Sequence, residues 1–475
     1  MHGTAHRPIV TPISRNDPSL ADAFHAPVVI VGAGACGLTA ALRLADQKIT
    51  PLILERDSLA QGSTALSSGF IPAPGTAVQR AAGIADSPAL FARDILHKSS
   101  QQADPALTRA YAQAIGPAID WLQTHHNIPF ELLDGFLYPG HSVRRMHAVP
   151  EHTGEGLINR LSRAVERAGI SIMNNARVFE LLVSDRDHPV GVRFSRPDQS
   201  TETVTFDFLL LACNGYGGNP ELVSHWLPEL RQALYAGHAG NDGSAVIWGQ
   251  ELGAELADMG AYQGHGSWAT PHGILISWAL MMRGGVQINQ HGDRFHNETL
   301  GYSEAAVQVI AQPAQKVWNV FSQSELAFAR DFPDFKQAEK AGAIRTAQTT
   351  SELAALIGCP VKALHSTLDA IETATRTGRA DQFDRHFEQT LTAPFAAVQV
   401  TGALFHTQGG LATTTSMQMR RLDGSIFDNC YAAGGAARGV SGQTVAGYLS
   451  GNGLLSAIAG GSLAAEAIGR KLAEH

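Results

Sequence analysis

Cysteine is scarce. Cys36, Cys213, Cys359 and Cys430 are the four in 475 residues, and no two form a Cys-x-x-Cys pair. No metal site, iron–sulfur cluster, haem attachment or disulfide frame is therefore expected, and a cytoplasmic, reducing location suits the chain. Charge is thin as well: charged residues make up 16% and the net charge is −8. Without a basic stripe, no nucleic-acid partner is expected. No apolar run reaches the roughly 18 residues of a membrane helix, so no membrane span is expected either. Residues 1–26 lack the apolar stretch of a secretion signal and read as a disordered lead-in.

What the chain has is glycine, 48 residues of it, within a composition that is 44% hydrophobic. That mixture fits an α/β enzyme with many tight turns, and the length suggests two or three units. Residues 28–37, Val-Val-Ile-Val-Gly-Ala-Gly-Ala-Cys-Gly, form the central motif. A β-branched strand runs into Gly32, Gly34 and Gly37, which respectively permit the turn, let backbone approach a pyrophosphate, and let helix pack on strand. The helix Leu38–Asp46 leads to a second apolar run, 51–54, ending on Glu55. An acid at that place accepts both ribose hydroxyls of an adenosine that lacks a 2′-phosphate, so the whole βαβ unit predicts dinucleotide binding.

The loop 61–69 is either a flexible surface loop or a cofactor wrap with Ser63, Thr64 and Ser67 as donors. Residues 87–126 are helical in pattern, with breaks expected near Pro105 and Pro117. His141, Arg144, Arg145 and His147 read as a solvated face; if they line a pocket instead, Arg144 or Arg145 pairs with an anionic group. An amphipathic helix over 155–168 and strands at 170–173, 177–183, 190–194 and 204–213 follow. The last strand runs into the glycine turn Asn214-Gly-Tyr-Gly-Gly218, and Asp242 and Ser244 open another helix as cap or cofactor contacts. From residue 263 the pattern changes: a strand at 285–289, a hairpin turn at 291–293 and mainly helices over 303–375 read as an inserted cap. The cofactor signal returns with 402–410, a strand at 429–433, Gly434, Gly435 and a long terminal helix over 452–472. A helix start at 450–453 suits the negative charge of a reduced flavin.

Taken together, VGAGACG with Glu55, GSTALSSGF, LLLACNGYGG, GNDGSAVIWGQELGA, GDRFHNE, LFHTQGG and YAAGG resemble the FAD-dependent fumarate reductase and 3-ketosteroid dehydrogenase superfamily, nearest its ketosteroid and oxocyclohexanecarboxylate dehydrogenase-like branch. The resemblance implies an α/β chain with a Rossmann-like FAD-binding domain in two pieces, 27–262 and 404–475, and an α+β capping (substrate) domain at 263–403. Cofactor contacts are then expected at Gly32, Gly34, Ala35, Gly37, Glu55, Arg56, Gly62, Ser63, Thr64, Ser68, Gly69, Val178, Ala212, Asn214, Gly215, Asp242, Gly434, Gly435, Asn452, Leu454 and Leu455. Ser63 stands where membrane succinate dehydrogenases carry the histidine that attaches FAD, which implies a noncovalent flavin. Tyr302 occupies the place of the fumarate reductases' proton-donating arginine, and Asn297-Glu-Thr-Leu-Gly-Tyr302 is similar to the segment carrying the catalytic tyrosine of 3-ketosteroid dehydrogenases. Arg438 lies earlier than the second fumarate-binding arginine of the family.

The expected reaction is therefore formation of a C=C bond next to the carbonyl of a cyclic ketone or keto acid, with the α-proton passing to Tyr302 and a hydride to flavin N5. A tyrosine's ordinary pKa of about 10 must fall by about 2–3 units for this, with Arg283, Arg294 or His265 as the group that lowers it. His265 and His406 stand at the family's substrate-binding histidines, or are structural histidines; Tyr302 is a base, or a packing residue. Tyr448 with the Gly447 backbone is placed to hold the ketone oxygen, and Arg438, Arg283 and Arg145 to meet an anionic substituent. Expected partners are a small carbonyl substrate and an external electron acceptor: oxygen, a quinone or a flavoprotein. The same chemistry reversed, reduction of an activated alkene, is one alternative; a non-catalytic flavin-binding sensor is another.

Overall fold

The computed structural model describes residues 7–14, 17, 20, 23–133, 137–184 and 188–474. The chain divides into two compact units. One comprises Met1–Pro228, Gly237–Tyr262 and His406–His475; the other comprises Glu229–Ala236 and Gln263–Phe405.

In the first unit the strand Phe24–Val31 lies parallel between Leu52–Leu54 and Thr201–Leu211. Val28, Val29, Ile30 and Val31 are all buried, because both faces of the sheet are covered, so the sequence there is continuously apolar and not alternating. Thr201–Leu211 has three partners. Its first half runs antiparallel to Pro189–Ser195, while Leu209–Leu211 pair in parallel with Cys430–Ala432. Val31, Leu211 and Ala432 thus end side by side. The turns beginning at Gly32, Asn214 and Gly434 leave three adjacent strands at one carboxyl edge, where open α/β sheets bind ligands.

The terminal helix Asn452–Ala473 packs on the helix Ala35–Asp46. The approach is so close that a Cβ on Gly461 would stand 2.4 Å from the Cys36 carbonyl oxygen.

Several expectations are corrected here. The predicted disordered lead-in contains a strand, Ile9–Pro12, parallel to Arg177–Val183. Four half-exposed edge residues are too few to leave an alternating pattern. Pro117 does not break its helix, which runs over Pro105–His126; burial of Ile115, Ala118 and Ile119 outweighs one missing hydrogen bond. Pro105 is the first helical residue behind the Asp104 cap, where proline costs nothing. The 141–147 segment is no solvated face: His141, Arg145 and His147 are buried. Arg145 is ion-paired with Asp86 at 2.9 Å and with Asp94 at 2.5 Å, acids that are distant in sequence.

The second unit is built on a seven-stranded sheet ordered Ile274–Leu275, Tyr262–Ala269, Phe395–Thr407, Val317–Ser322, Val286–Ile288, with Leu234–Tyr235 and Arg345–Ala347 also on the long strand. Val317–Ser322 interrupts what the sequence suggested was mainly helix. It pairs with Val286–Ile288; the turn at 289–293 is closed by the Asn289 N–H on the Asp293 carbonyl at 3.0 Å, and no strand follows it before the helix at Tyr302.

Candidate active site

The glycine turn is braced from two sides. Thr64 Oγ1 accepts the Ala35 N–H at 3.0 Å, and Glu55 Oε2 accepts the Ala33 N–H at 2.8 Å. Glu55 Oε1 takes the Asp57 N–H at 3.0 Å. Burial pushes the Glu55 carboxyl above its usual range, against these two hydrogen bonds. A carboxylate has about four acceptor positions, so ribose hydroxyls find lone pairs left over. Ser63 Oγ accepts amide N–H groups from both Asn214 and Asn241 at 2.8 Å, leaving its own proton for a further acceptor.

Three features fit these residues to FAD. A Cβ on Gly37 would clash with the Gly32 carbonyl at 2.0 Å, whereas one on Gly34 would meet nothing nearer than Thr64 Oγ1 at 3.6 Å. Glycine at 37 answers to packing; glycine at 34 borders open space, as a pyrophosphate seat requires. The second feature is the terminal helix, whose first turn has no side-chain cap and so presents unclaimed N–H groups. The third is Asn452 Oδ1 at the same helix end, a buried acceptor without a partner. Gly34→Ala should keep the fold and weaken FAD binding by about 10–100-fold. Titrating apoprotein with FAD by fluorescence checks the affinity, and an unchanged apoprotein melt checks the fold.

Several of the other residues expected at the cofactor also make contacts within the protein. Arg56 donates to Gly240 O at 2.7 Å and pairs with Asp242 at 3.2 Å. Asp242 also accepts the Ser244 N–H at 3.1 Å at the start of its helix. Gly69 packs against Thr153, Gly215 against Thr407, and Gly434 near Cys36; Val178 and Ala212 are core residues. Leu455 is fully buried and its N–H is spent on Gly451 O, so it offers a cofactor neither. Leu454 packs on the core, Gly62 borders open space, and Ser68 is half-buried. Asn241 was not singled out in the sequence, although it precedes Asp242 directly.

In the second unit, His265 and Tyr302 come together. Their rings stack with centroids 4.7 Å apart, and Trp278 and Phe405 each stand 5.7 Å from the imidazole. Tyr302 is the first residue of the helix Tyr302–Ile310. That helix lies directly on the sheet: a Cβ on Gly266 would stand 2.7 Å from Ala305 Cβ, and one on Gly402 2.2 Å from Ala306 O. His265 Nδ1 accepts the Ser267 backbone N–H at 3.1 Å, so the ring proton sits on Nε2. Burial pushes this histidine down to about 3, and it is a neutral donor at neutral pH.

The cations expected around Tyr302 are already matched. Arg283 pairs with Glu325 at 2.5 Å and lies over Phe328. Arg294 pairs with Glu298 at 2.6 Å and also with Asp381. His265, being neutral, supplies no charge. The arginines offered for an anionic substituent are likewise engaged, Arg145 as above and Arg438 with Asp258 at 2.6 Å and Asp104 at 3.2 Å. His406 and Tyr448 belong to the first unit; Tyr448 is buried behind the turn 445–447.

Burial also holds His141, His296 and His406 down to about 4. These rings stay neutral in the fold while the unfolded chain takes up protons below about pH 6.5. Stability should therefore be flat above pH 7 and fall below pH 6, by about 1.4 kcal/mol per pH unit for each such histidine until pH approaches about 4. Thermal melts across this range check the sign; a melt that rises on acidification contradicts it.

The glycine turn, the acid behind it and the open helix end are the parts of an FAD seat, and the chain is an FAD-dependent oxidoreductase. Residues 27–454 match the FAD binding domain family, and the chain belongs to it, within the superfamily of fumarate reductases and 3-ketosteroid dehydrogenases. It is 28% identical over 444 residues to the NADH:fumarate oxidoreductase of Klebsiella pneumoniae, covering 92% of this chain and 47% of that protein; the chain thus spans about half the length of that relative. It is 24% identical to the 3-oxosteroid 1-dehydrogenase of Mycobacterium tuberculosis, covering 88% of this chain and 94% of that one. Among solved structures, the open conformation of a flavocytochrome c3 fumarate reductase has a TM-score of 0.79 and 25% identity, covering 95% of this chain and 79% of that one. No helix among the described residues is long and apolar enough to cross a membrane.

Proposed function

We propose that this enzyme desaturates a neutral cyclic ketone, forming the C=C bond α,β to the carbonyl, with Tyr302 as the base. The observation that carries this reading is the stacked pair His265 and Tyr302, a neutral N–H donor beside a phenol. The donor suits the ketone oxygen, and hydrogen bonding there acidifies the α-carbon. The α-proton passes to the Tyr302 oxygen in its phenolate form, giving the phenol, and the electron pair of the broken C–H bond becomes the second bond of the new C=C. FAD, when bound, supplies the two-electron acceptor for the β-hydride.

Neutral substrate is favoured over keto acid because Arg145, Arg283, Arg294 and Arg438 are committed to carboxylates. A substrate carboxylate would have to share its arginine with these partners. What favours the reverse reading, reduction of an activated alkene, is the likeness to fumarate reductases. External electron partners for either direction are oxygen, a quinone or a flavoprotein.

The test is anaerobic mixing of the holoenzyme with saturated cyclic ketones and keto acids, and of its reduced form with cyclic enones and fumarate. Loss of the oxidised-flavin absorbance with neutral ketones is expected. Reoxidation by fumarate, with no response to any ketone, would replace this reading with the reductase one; binding without any redox change would leave the sensor.

A further inference from the structure

Four side chains of the first unit form a continuous hydrogen-bonded line. Gln408 Nε2 lies 2.9 Å from His406 Nδ1, Ser441 Oγ 2.9 Å from Gln408 Oε1, and Asn452 Nδ2 3.1 Å from Ser441 Oγ. Gln408, Ser441 and Asn452 are all buried. We propose that Gln408 is the positioning residue of His406, holding its imidazole with the proton on Nε2, through a line of donors that begins at the Asn452 helix end.

Each link fixes the next. The Ser441 hydroxyl has one proton, and giving it to Gln408 Oε1 turns the Gln408 amide group toward His406, whose Nδ1 must then be a bare lone pair. The serine oxygen in turn takes the Asn452 amide. Asn452 Oδ1 is left a buried acceptor with no partner. Reversing every link would put the proton on Nδ1 and leave Nε2 an acceptor. The two directions therefore decide whether His406 offers a ligand a proton or a lone pair.

Gln408 is well anchored for this task. Its N–H bonds Ala261 O and its carbonyl takes the Gly439 N–H, both at 2.8 Å. The far edge of the imidazole passes Gly435, where a Cβ would stand 2.7 Å from Nε2. Burial alone lowers the His406 pKa, so the ring is neutral at pH 7 and a single tautomer has to be chosen. A donor at Nε2 matches a carbonyl oxygen; this consequence rests on the ketone reading above, whereas the tautomer itself does not.

The test is a two-bond 1H–15N correlation spectrum of the FAD-loaded protein labelled in histidine, with the His406 signals identified by their loss in His406→Gln. The expected wild-type pattern is a protonated Nε2 and a bare Nδ1. Gln408→Glu, whose carboxylate only accepts, should shift the proton to Nδ1 or give the imidazolium; Gln408→Met should lose the single-tautomer pattern. A wild-type ring protonated on Nδ1, or a pattern that stays unchanged in both variants, overturns the proposal. Should either variant misfold, the wild-type spectrum still decides the direction, and Ser441→Ala tests the line one link further away. No substrate enters the measurement, so an enzyme that ignores every ketone yet shows the expected tautomer refutes the function and keeps this assignment.

Discussion

Tyr302→Phe should stay yellow and folded while its anaerobic flavin bleaching with a cyclic ketone slows by about 10²–10⁴-fold, the usual contribution of a positioned general base. The phenol is one atom larger than the ring that replaces it, and the stacking on His265 at 4.7 Å uses the ring face, not the hydroxyl. FAD affinity should not move, because the cradle residues lie in the other unit. Stopped-flow absorbance measures the rate and FAD titration the binding. Bleaching at the wild-type rate would remove Tyr302 from the chemistry. No unmatched cation among Arg283, Arg294 and His265 supplies the charge for a phenolate. The group left to favour a phenolate is the N-terminus of the helix that Tyr302 opens, whose field favours an anion.

The second large effect is on stability. Glu298 is fully buried, accepts from Arg294 at 2.6 and 3.0 Å and from Arg385 at 2.6 Å, and takes the Gln287 N–H at 3.0 Å. Asp381 completes a quartet of two cations and two anions. Burial alone would raise the Glu298 pKa, but Arg385 and Arg294 outweigh it and hold the group down to about 2. Its charge thus contributes fully above about pH 4.5 and is lost only as pH falls toward 2. Glu298→Gln leaves two guanidinium groups facing one carboxylate in the interior. We expect a loss of about 3–5 kcal/mol, which lowers the melting temperature of the unit by roughly 6–20 °C. Thermal melting combined with hydrogen exchange over 286–298 checks it; an unaltered melt would show that the quartet does not hold the unit together.

The cofactor half was legible because its signals are local. Val28–Gly37 with Glu55 encodes strand, turn, helix and acid within a single βαβ unit, and the strand ends at Leu211 and Ala432 are marked by Gly215 and Gly434, within four residues of them. Strand Val317–Ser322 was hidden among helical patterns because its partners, Val286–Ile288 and Phe395–Thr407, are remote. Arginine roles were the least readable. Arg145, Arg283 and Arg438 looked available until Asp86, Glu325 and Asp258 were found against them, and no spacing rule announces a salt bridge across 42 or 180 residues. Gln408 stood two places after a histidine already singled out, but its meaning depends on Ser441 and Asn452, which only the fold brings near.

The backbone contact between Gly461 and Cys36 joins segments separated by 425 positions. On a translating ribosome, the earlier helix emerges roughly 20–85 s before its mate at about 5–20 residues/s. Throughout that interval the part of its face that the terminal helix covers is bare, and the flavin seat lacks the wall that begins at Asn452. Nascent chains should therefore need shielding of that face during synthesis, and uptake of the vitamin-derived cofactor is expected only once the terminal helix has been made.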